Sequence, residues 1–306
     1  MRVEQVLRER SDTACGLYPG LSREEYDALA AINCSSLKHG IDIKGKSYVA
    51  NARRIKWAFE SASEEEMTTE RKDRLTYGAA LHMAVLERER FEREVVHTNM
   101  VRNAKSSKWI EFQEEHQGKV ILKTKGKFGY DRIGRILNAV TSMPEWALVL
   151  PYLESCDREC TIVTNEDGVQ KKGMFDIRSR SVPALLDPKF TEIADIEGFS
   201  KSAWELGYWI SMGSYREWHN RECPGDVITE CVLLQIVTKP PYDLIVRPMD
   251  DADLSFGHQV QLNACRTLKD AIKNERWAGL GENMPVPCIL PHWAVPKDAE
   301  MVEFAG

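Results

Sequence analysis

Apolar positions recur at helical spacing over the first half of the chain and at strand spacing over much of the second. Ser22-Arg-Glu-Glu25 fits a capping box, in which the serine hydroxyl and the glutamate carboxylate satisfy free N–H groups at a helix start. It predicts a short helix to about Ala31, and Ser35-Ser36 reads as the cap of another near Leu37. Between Glu60 and Arg74 almost every residue is polar, the pattern of a solvated helix or mobile connector. Tyr77 to Arg93 contrasts with it. Leu81, Val85 and Leu86 stand at helical spacing there beside Gly78, Ala79, Ala80 and Ala84, which predicts a buried helix. Further helices are predicted from Lys108 to His116 and from Tyr130 to Ser142, and a third places Trp146, Leu150 and Leu153 on one face.

At Cys160 the period changes. Cys160 to Val163 and Val169 to Arg178 read as strands around the turn Asn165-Glu-Asp-Gly168, and Ser181-Val-Pro183 turns the chain into a third, Ala184 to Asp187. Three short strands on tight turns make an antiparallel meander. A helix from about Ser200 carries Trp204, Tyr208, Met212 and Tyr215 as one stripe. Glu230 to Thr238 is the run of a buried strand; Asp243 to Arg247 is a further strand, and Asp250 to Ile272 a long amphipathic helix. These elements predict an α/β (α+β) protein: a central mixed sheet flanked by helices, as one domain over residues 1–306. About 1–150 would be mainly helical, about 151–284 would hold the sheet, and 285–306 would be irregular.

Charge narrows the function classes. With 41 Lys+Arg against 47 Asp+Glu the net charge is −6, which excludes binding of nucleic acid by bulk positive charge but leaves room for a local basic groove. No segment approaches the roughly 18 apolar residues of a membrane-spanning helix. Met1 to Arg10 is half charged, unlike a signal peptide, so a soluble cytosolic protein is expected. The eight cysteines form no CxxC pair, which favours reduced thiols over disulfides, zinc or iron–sulfur ligation.

The chemistry concentrates in Lys172-Gly-Met-Phe-Asp176-Ile-Arg and Leu185-Leu-Asp187-Pro-Lys189. Strand side chains alternate, so Asp187 and Lys189 project to one side, and pairing across the Ser181–Pro183 turn would bring Asp176 beside Asp187. Two adjacent carboxylates repel unless a cation lies between them, and a neighbouring ammonium can orient a water. That is equipment for metal-dependent phosphodiester hydrolysis. An exposed hairpin with ordinary solvated charges is the plainer alternative.

Over about Tyr18 to Gly281 the chain resembles the PD-(D/E)xK nucleases, and within them the RecE-type (exonuclease VIII) phage and prophage exonucleases. YPGLSREEYDALAAINCSSLKHG, YGAALHMAVLERERFE, ECTIVTNEDGVQKKGMFDIRS, ALLDPKF, GYWISMGSYRE and VLLQIVTKPPYDLIVRPMDDADLSFG carry the resemblance, in that order. It implies a restriction-endonuclease-like core with Asp176, Asp187, His82 and the Pro188 carbonyl as metal ligands, and Lys189 near the attacking water. Glu159 resembles a glutamate that helps place a metal or its waters; a surface acid at a strand start is an equal reading. Two positions depart from the family's pattern. Ser211 stands where many relatives have glutamine, four residues before Tyr215, and Phe190 where threonine commonly follows the lysine. They bear on how Ser211 and Tyr215 would meet DNA rather than on the metal.

Arg102 to Lys127 holds seven basic residues, among them Lys105, Lys108, Lys119, Lys123, Lys125 and Lys127, against three acidic ones. It reads equally as a track for phosphate, with Trp109, Phe128 and Tyr130 for base stacking, and as a solvated loop with aromatics in the core. The resemblance implies a Mg2+-dependent exonuclease, with Mn2+ as a substitute, that degrades linear double-stranded DNA from its ends, 5′ to 3′. It further implies a homo-oligomeric ring and a single-strand annealing protein as partner, in bacterial or phage-infected cytosol, with no membrane involved. A non-catalytic DNA-binding or assembly protein and an endonuclease module of a larger complex are the alternatives.

Overall fold

The strands around the carboxylates form one mixed sheet, and its irregular edge positions everything that follows. The computed structural model describes residues 13–45, 47–60, 68–103, 105–277 and 279. In chain order these hold β1 (Gly16–Tyr18), α1 (Arg23–Ala28), β2 (Ile32–Asn33), α2 (Cys34–His39), α3 (Ala52–Glu60), α4 (Thr69–Leu86), α5 (Arg88–Glu94), β3 (Val95–Thr98), α6 (Ser107–Glu115), β4 (Val120–Lys123) and α7 (Tyr130–Thr141). A 3-10 turn (Pro144–Leu148) and α8 (Leu150–Leu153) lead into β5 (Cys156–Glu166), β6 (Val169–Ser179), β7 (Ala184–Thr191), α9 (Ile196–Glu205), α10 (Tyr208–Glu222), β8 (Glu230–Val237), β9 (Asp243–Pro248) and α11 (Asp251–Lys273).

The capping box at Ser22 is present, with both reciprocal hydrogen bonds. The next cap is Asn33 rather than Ser35-Ser36: its Oδ1 accepts from Ser36 N at 2.7 Å, and the serines lie inside the first turn of α2. The polar run from Glu60 divides. Its later part forms the first turns of α4, capped by Thr68, and residues 61–67 lie outside the described residues. The helix expected over 77–93 is broken at Glu87, where the backbone leaves helical angles, so α4 and α5 are separate. The stripe from Trp204 to Tyr215 also belongs to two helices. Gly207 takes φ +64 between α9 and α10, a conformation that costs glycine little. The stretch from Pro285 lies outside the described residues.

The sheet runs β1-β5-β6-β7-β8-β9, antiparallel except for the β7/β8 pair, and β2 joins β6 in parallel. The first part of the chain is therefore not only helical, because β1 and β2 are built into the sheet. One face is covered by α2, α3, α10 and α11, through Leu37, Ile55, Trp218 and Leu268 among others. The other is covered by α4, α5 and α7, through Leu81, Phe91 and Ile136.

β2 and β7 share one edge of β6. β2 pairs at Lys171 and Lys172, and β7 pairs only from Ile177 to Ser179. Residues 173–176 of β6 thus have no strand partner on that side. Beyond Leu186, β7 pairs with β8 alone. The result is a gap in the sheet bounded by three strands.

Lys172 fastens the β2 side of this gap, donating from Nζ to the carbonyls of Tyr26 (2.7 Å), Asp27 and Leu29 at the end of α1. Burial pushes its ammonium down to about 8. The far end of β5 and β6 is tied to α10 and α11 by the buried Glu166 carboxylate. It accepts from Lys171 (2.7 Å), Trp218 Nε1 (3.3 Å) and Arg221 (2.5 Å), with His258 Nε2 at 3.1 Å. Burial alone would raise the Glu166 pKa, but His258 and Lys171 hold it well below the usual carboxylate range. Its contribution is therefore complete at neutral pH and is lost only as pH falls through the depressed folded value. Glu166→Ala leaves Lys171 buried without its counter-charge. We expect a loss of about 3–5 kcal/mol in chemical denaturation at pH 7; a loss below about 1 kcal/mol would contradict this role.

Candidate active site

Asp176 and Asp187 meet at the gap. They continue the β6/β7 register one step past the Ile177–Leu186 pair, and their carboxyls lie close enough to shift each other's ionisation. Burial works against ionisation of both. Asp176 is driven well above the usual carboxylate range by that burial and by the neighbouring charge of Asp187. Asp187 goes the other way, because Lys189, with Nζ 2.6 Å from its Oδ2, outweighs the desolvation. The two shifts run in opposite directions, favouring the protonated form at Asp176 and the ionised form at Asp187. The two carboxylates raise the Lys189 ammonium above its ordinary value against its own desolvation, and it lies 4.5 Å from the centroid of the Tyr208 ring.

His82, on α4, brings Nδ1 to 3.8 Å from Asp176 Oδ2. Burial lowers its pKa, which favours the neutral imidazole that can ligate a metal. Phe190 meets the His82 ring edge-on at 4.8 Å between centroids, so the residue that replaces the expected threonine braces the histidine. Pro188 is buried in the part of β7 that has only β8 as a partner, where a missing N–H is tolerated as on an edge strand.

Side-chain alternation fails beside Asp176. Phe175 packs into the core under α10 and α11, whereas Ile177 packs into the opposite core under α4 and α7. Across the ladder the break falls at Glu159, the position facing Asp176, which takes φ +46 and drops out of the pairing between Arg158–Ile177 and Cys160–Phe175. A non-glycine residue in this region is uncommon and concentrates at functional sites. The Glu159 carboxylate is bound by Arg90 at 2.8 Å, and Arg90 is also held by Glu87 and Glu94. Glu159 is thus next to Asp176 in the sheet, with its carboxylate engaged by α5.

A cavity of about 180 Å3 opens here, lined by Asp176, Asp187, Lys189, Ser211, Tyr215 and, from α2, Lys38. It far exceeds the roughly 15 Å3 that one water requires. Ser211 and Tyr215 form its wall. The Tyr215 ring rests on Phe175 (5.4 Å) and Trp218 (5.9 Å), and it fits because residue 173 is glycine: a Cβ there would lie 2.5 Å from Tyr215 Cε1. Lys38 and Tyr208 carry no local signal of a role. Only the long-range β2/β6 pairing brings Lys38 here.

Of the basic segment, Lys123, Lys125 and Lys127 line a second cavity with Arg102, Asp73 and Phe128. Lys105, Lys108 and Lys119 are exposed around α6. The aromatics are not free to stack on bases. Trp109 is buried, Tyr130 stacks on His97 and Phe91, and Phe128 packs on Tyr77.

Among the described residues no three of His, Cys, Asp and Glu are gathered closely enough to chelate an ion as they stand. The donors nonetheless suit a hard divalent cation in type: two adjacent carboxylates and an imidazole. Asp187 Oδ1 is the specific sign, a buried carboxylate oxygen that no N–H or O–H group of another residue reaches, whereas Lys189 takes Oδ2. Such an orphaned acceptor is costly unless something else satisfies it.

A family model described as "PDDEXK-like domain of unknown function (DUF3799)" matches residues 53–286, which is most of the chain. The chain belongs to this PDDEXK-like family. Its fold is shared by a crystal structure described as a "Putative exonuclease" from Eubacterium rectale, with a TM-score of 0.53 and 14% sequence identity, over 83% of this chain and 87% of that one. No curated protein matches the sequence significantly. The matched residues hold β3 to β9 and the helices from α4 onward, whereas β1, β2 and α2, with Ser35 and Lys38, precede them.

The raised pKa of Asp176 has a stability consequence. The native state holds a proton that the unfolded chain releases, so this contribution is present at low pH and is lost as pH rises through the elevated value. Asp176→Asn, permanently neutral and of the same shape, is expected to stabilise the metal-free protein by about 1 kcal/mol at pH 8. Chemical denaturation in chelator checks this, and a destabilised variant would refute the raised pKa of Asp176.

Proposed function

We propose that this PDDEXK-like protein is a RecE-type, Mg2+-dependent exodeoxyribonuclease, able to use Mn2+, that shortens linear duplex DNA from its ends in the 5′ to 3′ direction. Single strands left behind would pass to an annealing protein. The observation that carries the reading is the Asp176–Asp187 pair with Lys189 bound to it at the open edge of β6, beside a cavity and with one buried carboxylate oxygen of Asp187 left without a partner. An ordinary solvated hairpin has no reason to bury this group.

Asp176, Asp187, the His82 imidazole and the Pro188 carbonyl are the groups that would hold the ion. A divalent ion bound there would act as a Lewis acid on phosphate and lower the pKa of the attacking water. Lys189 donates to that water and fixes its approach, held by Asp187 and by the Tyr208 ring. Water oxygen forms the new bond to phosphorus as the bond to the leaving oxygen breaks. Phe190 keeps His82 oriented, and Ser211 and Tyr215 shape the wall against which the sugar-phosphate lies.

The lysine cavity at the β4–α7 turn would supply further phosphate contacts. Asp73 and Thr76 of α4 line it, and they precede His82 by nine and six residues. At 1.5 Å rise and about 100° per residue this is roughly 9–14 Å along the axis and on a different face of α4, so this cavity would meet a part of the duplex away from the scissile phosphate. A ring of subunits around the duplex would keep the end engaged. No helix among the described residues is long and apolar enough to cross a membrane.

The test compares linear and closed circular duplexes with Mg2+ or chelator, using wild type and Asp187→Ala. The expected result is shortening of the linear form only, abolished by chelator and by the substitution. Cutting of the closed circle would identify an endonuclease instead. Binding without cleavage would identify a non-catalytic relative.

A further inference from the structure

The gap beside Asp176 is closed on one side by a piece of chain far away in sequence. β2 occupies the edge of β6 at Lys171 and Lys172, and α2 follows it without a break, so Ser35 and Lys38 reach the cavity lined by Asp176, Asp187, Lys189 and Tyr208. We propose that Lys38 is a second phosphate-binding group of the site, contacting the phosphodiester next to the one at Asp176 and Asp187 on the strand being cut. The proposal deepens the nuclease reading and rests on it.

Three observations point to an external anion as the partner of Lys38. First, the charge of Lys189 is answered by Asp187 at 2.6 Å, whereas Lys38 makes no ion pair among the described residues. Its Nζ meets the Leu206 carbonyl at 3.4 Å, a long contact for an ammonium. Secondly, the lysine stem is held in place. A Cβ on Gly207 would lie 3.1 Å from Lys38 Cδ and 3.0 Å from Ile43 Cδ1, so the aliphatic part packs against the α9–α10 turn and little freedom remains to be lost on binding.

Thirdly, the chain that follows Lys38 is rich in basic residues. Between residues 38 and 56 stand six Lys and Arg residues against the single acid Asp42, a larger surplus than that of Arg102 to Lys127. Arg54 is exposed there, and so is Lys44, whose exposed ammonium lies 3.4 Å from Glu205. A duplex whose scissile phosphate enters the cavity can run its next phosphates over this segment. Phosphate contacts of this kind fix position and register without reading sequence.

The experiment measures binding of an end-labelled duplex by fluorescence anisotropy in chelator, from 50 to 200 mM salt, so that no DNA is consumed. Lys38→Met should weaken binding about tenfold and reduce the slope of log affinity against log salt by about 0.9, the release of one counterion. Lys38→Arg should restore most of both, and the melting temperature of each variant should stay at the wild-type value. If Lys38→Met fails to fold, Lys38→Gln carries the same test with a hydrogen-bonding tip in place of the charge. A folded variant with unchanged affinity and slope overturns the proposal. Cleavage after addition of Mg2+ is scored separately on wild type. A wild type that binds but does not cut defeats the nuclease reading, while the salt slope still decides Lys38.

Discussion

Two neighbouring carboxylates, largely withdrawn from water, are the constraint around which the rest of the site is arranged. If both were ionised they would repel by roughly 4 kcal/mol at an effective dielectric near 20. Without a metal two effects offset this repulsion: the raised pKa of Asp176, which favours its neutral form, and the ammonium of Lys189 on Asp187. Neither satisfies Asp187 Oδ1. The incomplete remedy is what separates this proposed cation site from a structural ion pair such as Glu166–Lys171, whose carboxylate oxygens are both engaged.

The sheet makes that confrontation possible by failing to pair. β7 leaves β6 after Leu186, β2 takes the same edge further along, and residues 173–176 are left open between them. Glu159 leaves the ladder opposite Asp176 with a left-handed backbone. Strands that paired fully would bury the carboxylates under a continuous edge. The anchoring contacts lie outside the gap, at Lys172 on the carbonyls of α1 and at Glu166 under α10 and α11. Rigid surroundings hold an open site.

Much of this was legible in the chain. The meander could be read because Asn165-Glu-Asp-Gly168 and Ser181-Val-Pro183 punctuate runs of period two, and that period put Asp187 and Lys189 on one side. Local rules failed where long-range packing decides. Gly207 splits a stripe that runs unbroken in sequence, and Glu87 separates two helices that share one apolar pattern. The left-handed Glu159 has no signal in its own residue type, since glutamate does not favour that region. Lys38 is the clearest case, because its place follows from two residues of parallel pairing between Ile32-Asn33 and β6. Phe190, a departure from the resembled pattern, became intelligible only as a brace for His82.

The central claim is that the Asp176–Asp187 pair is a divalent-cation site. Calorimetric titration of the metal-free protein with Mn2+ at neutral pH tests it without reference to any substrate. The account predicts saturable binding with release of protons, since the proton on Asp176 must leave, and loss of that binding in Asp187→Asn. Equal Mn2+ affinity in wild type and Asp187→Asn, or no binding by either, would contradict it.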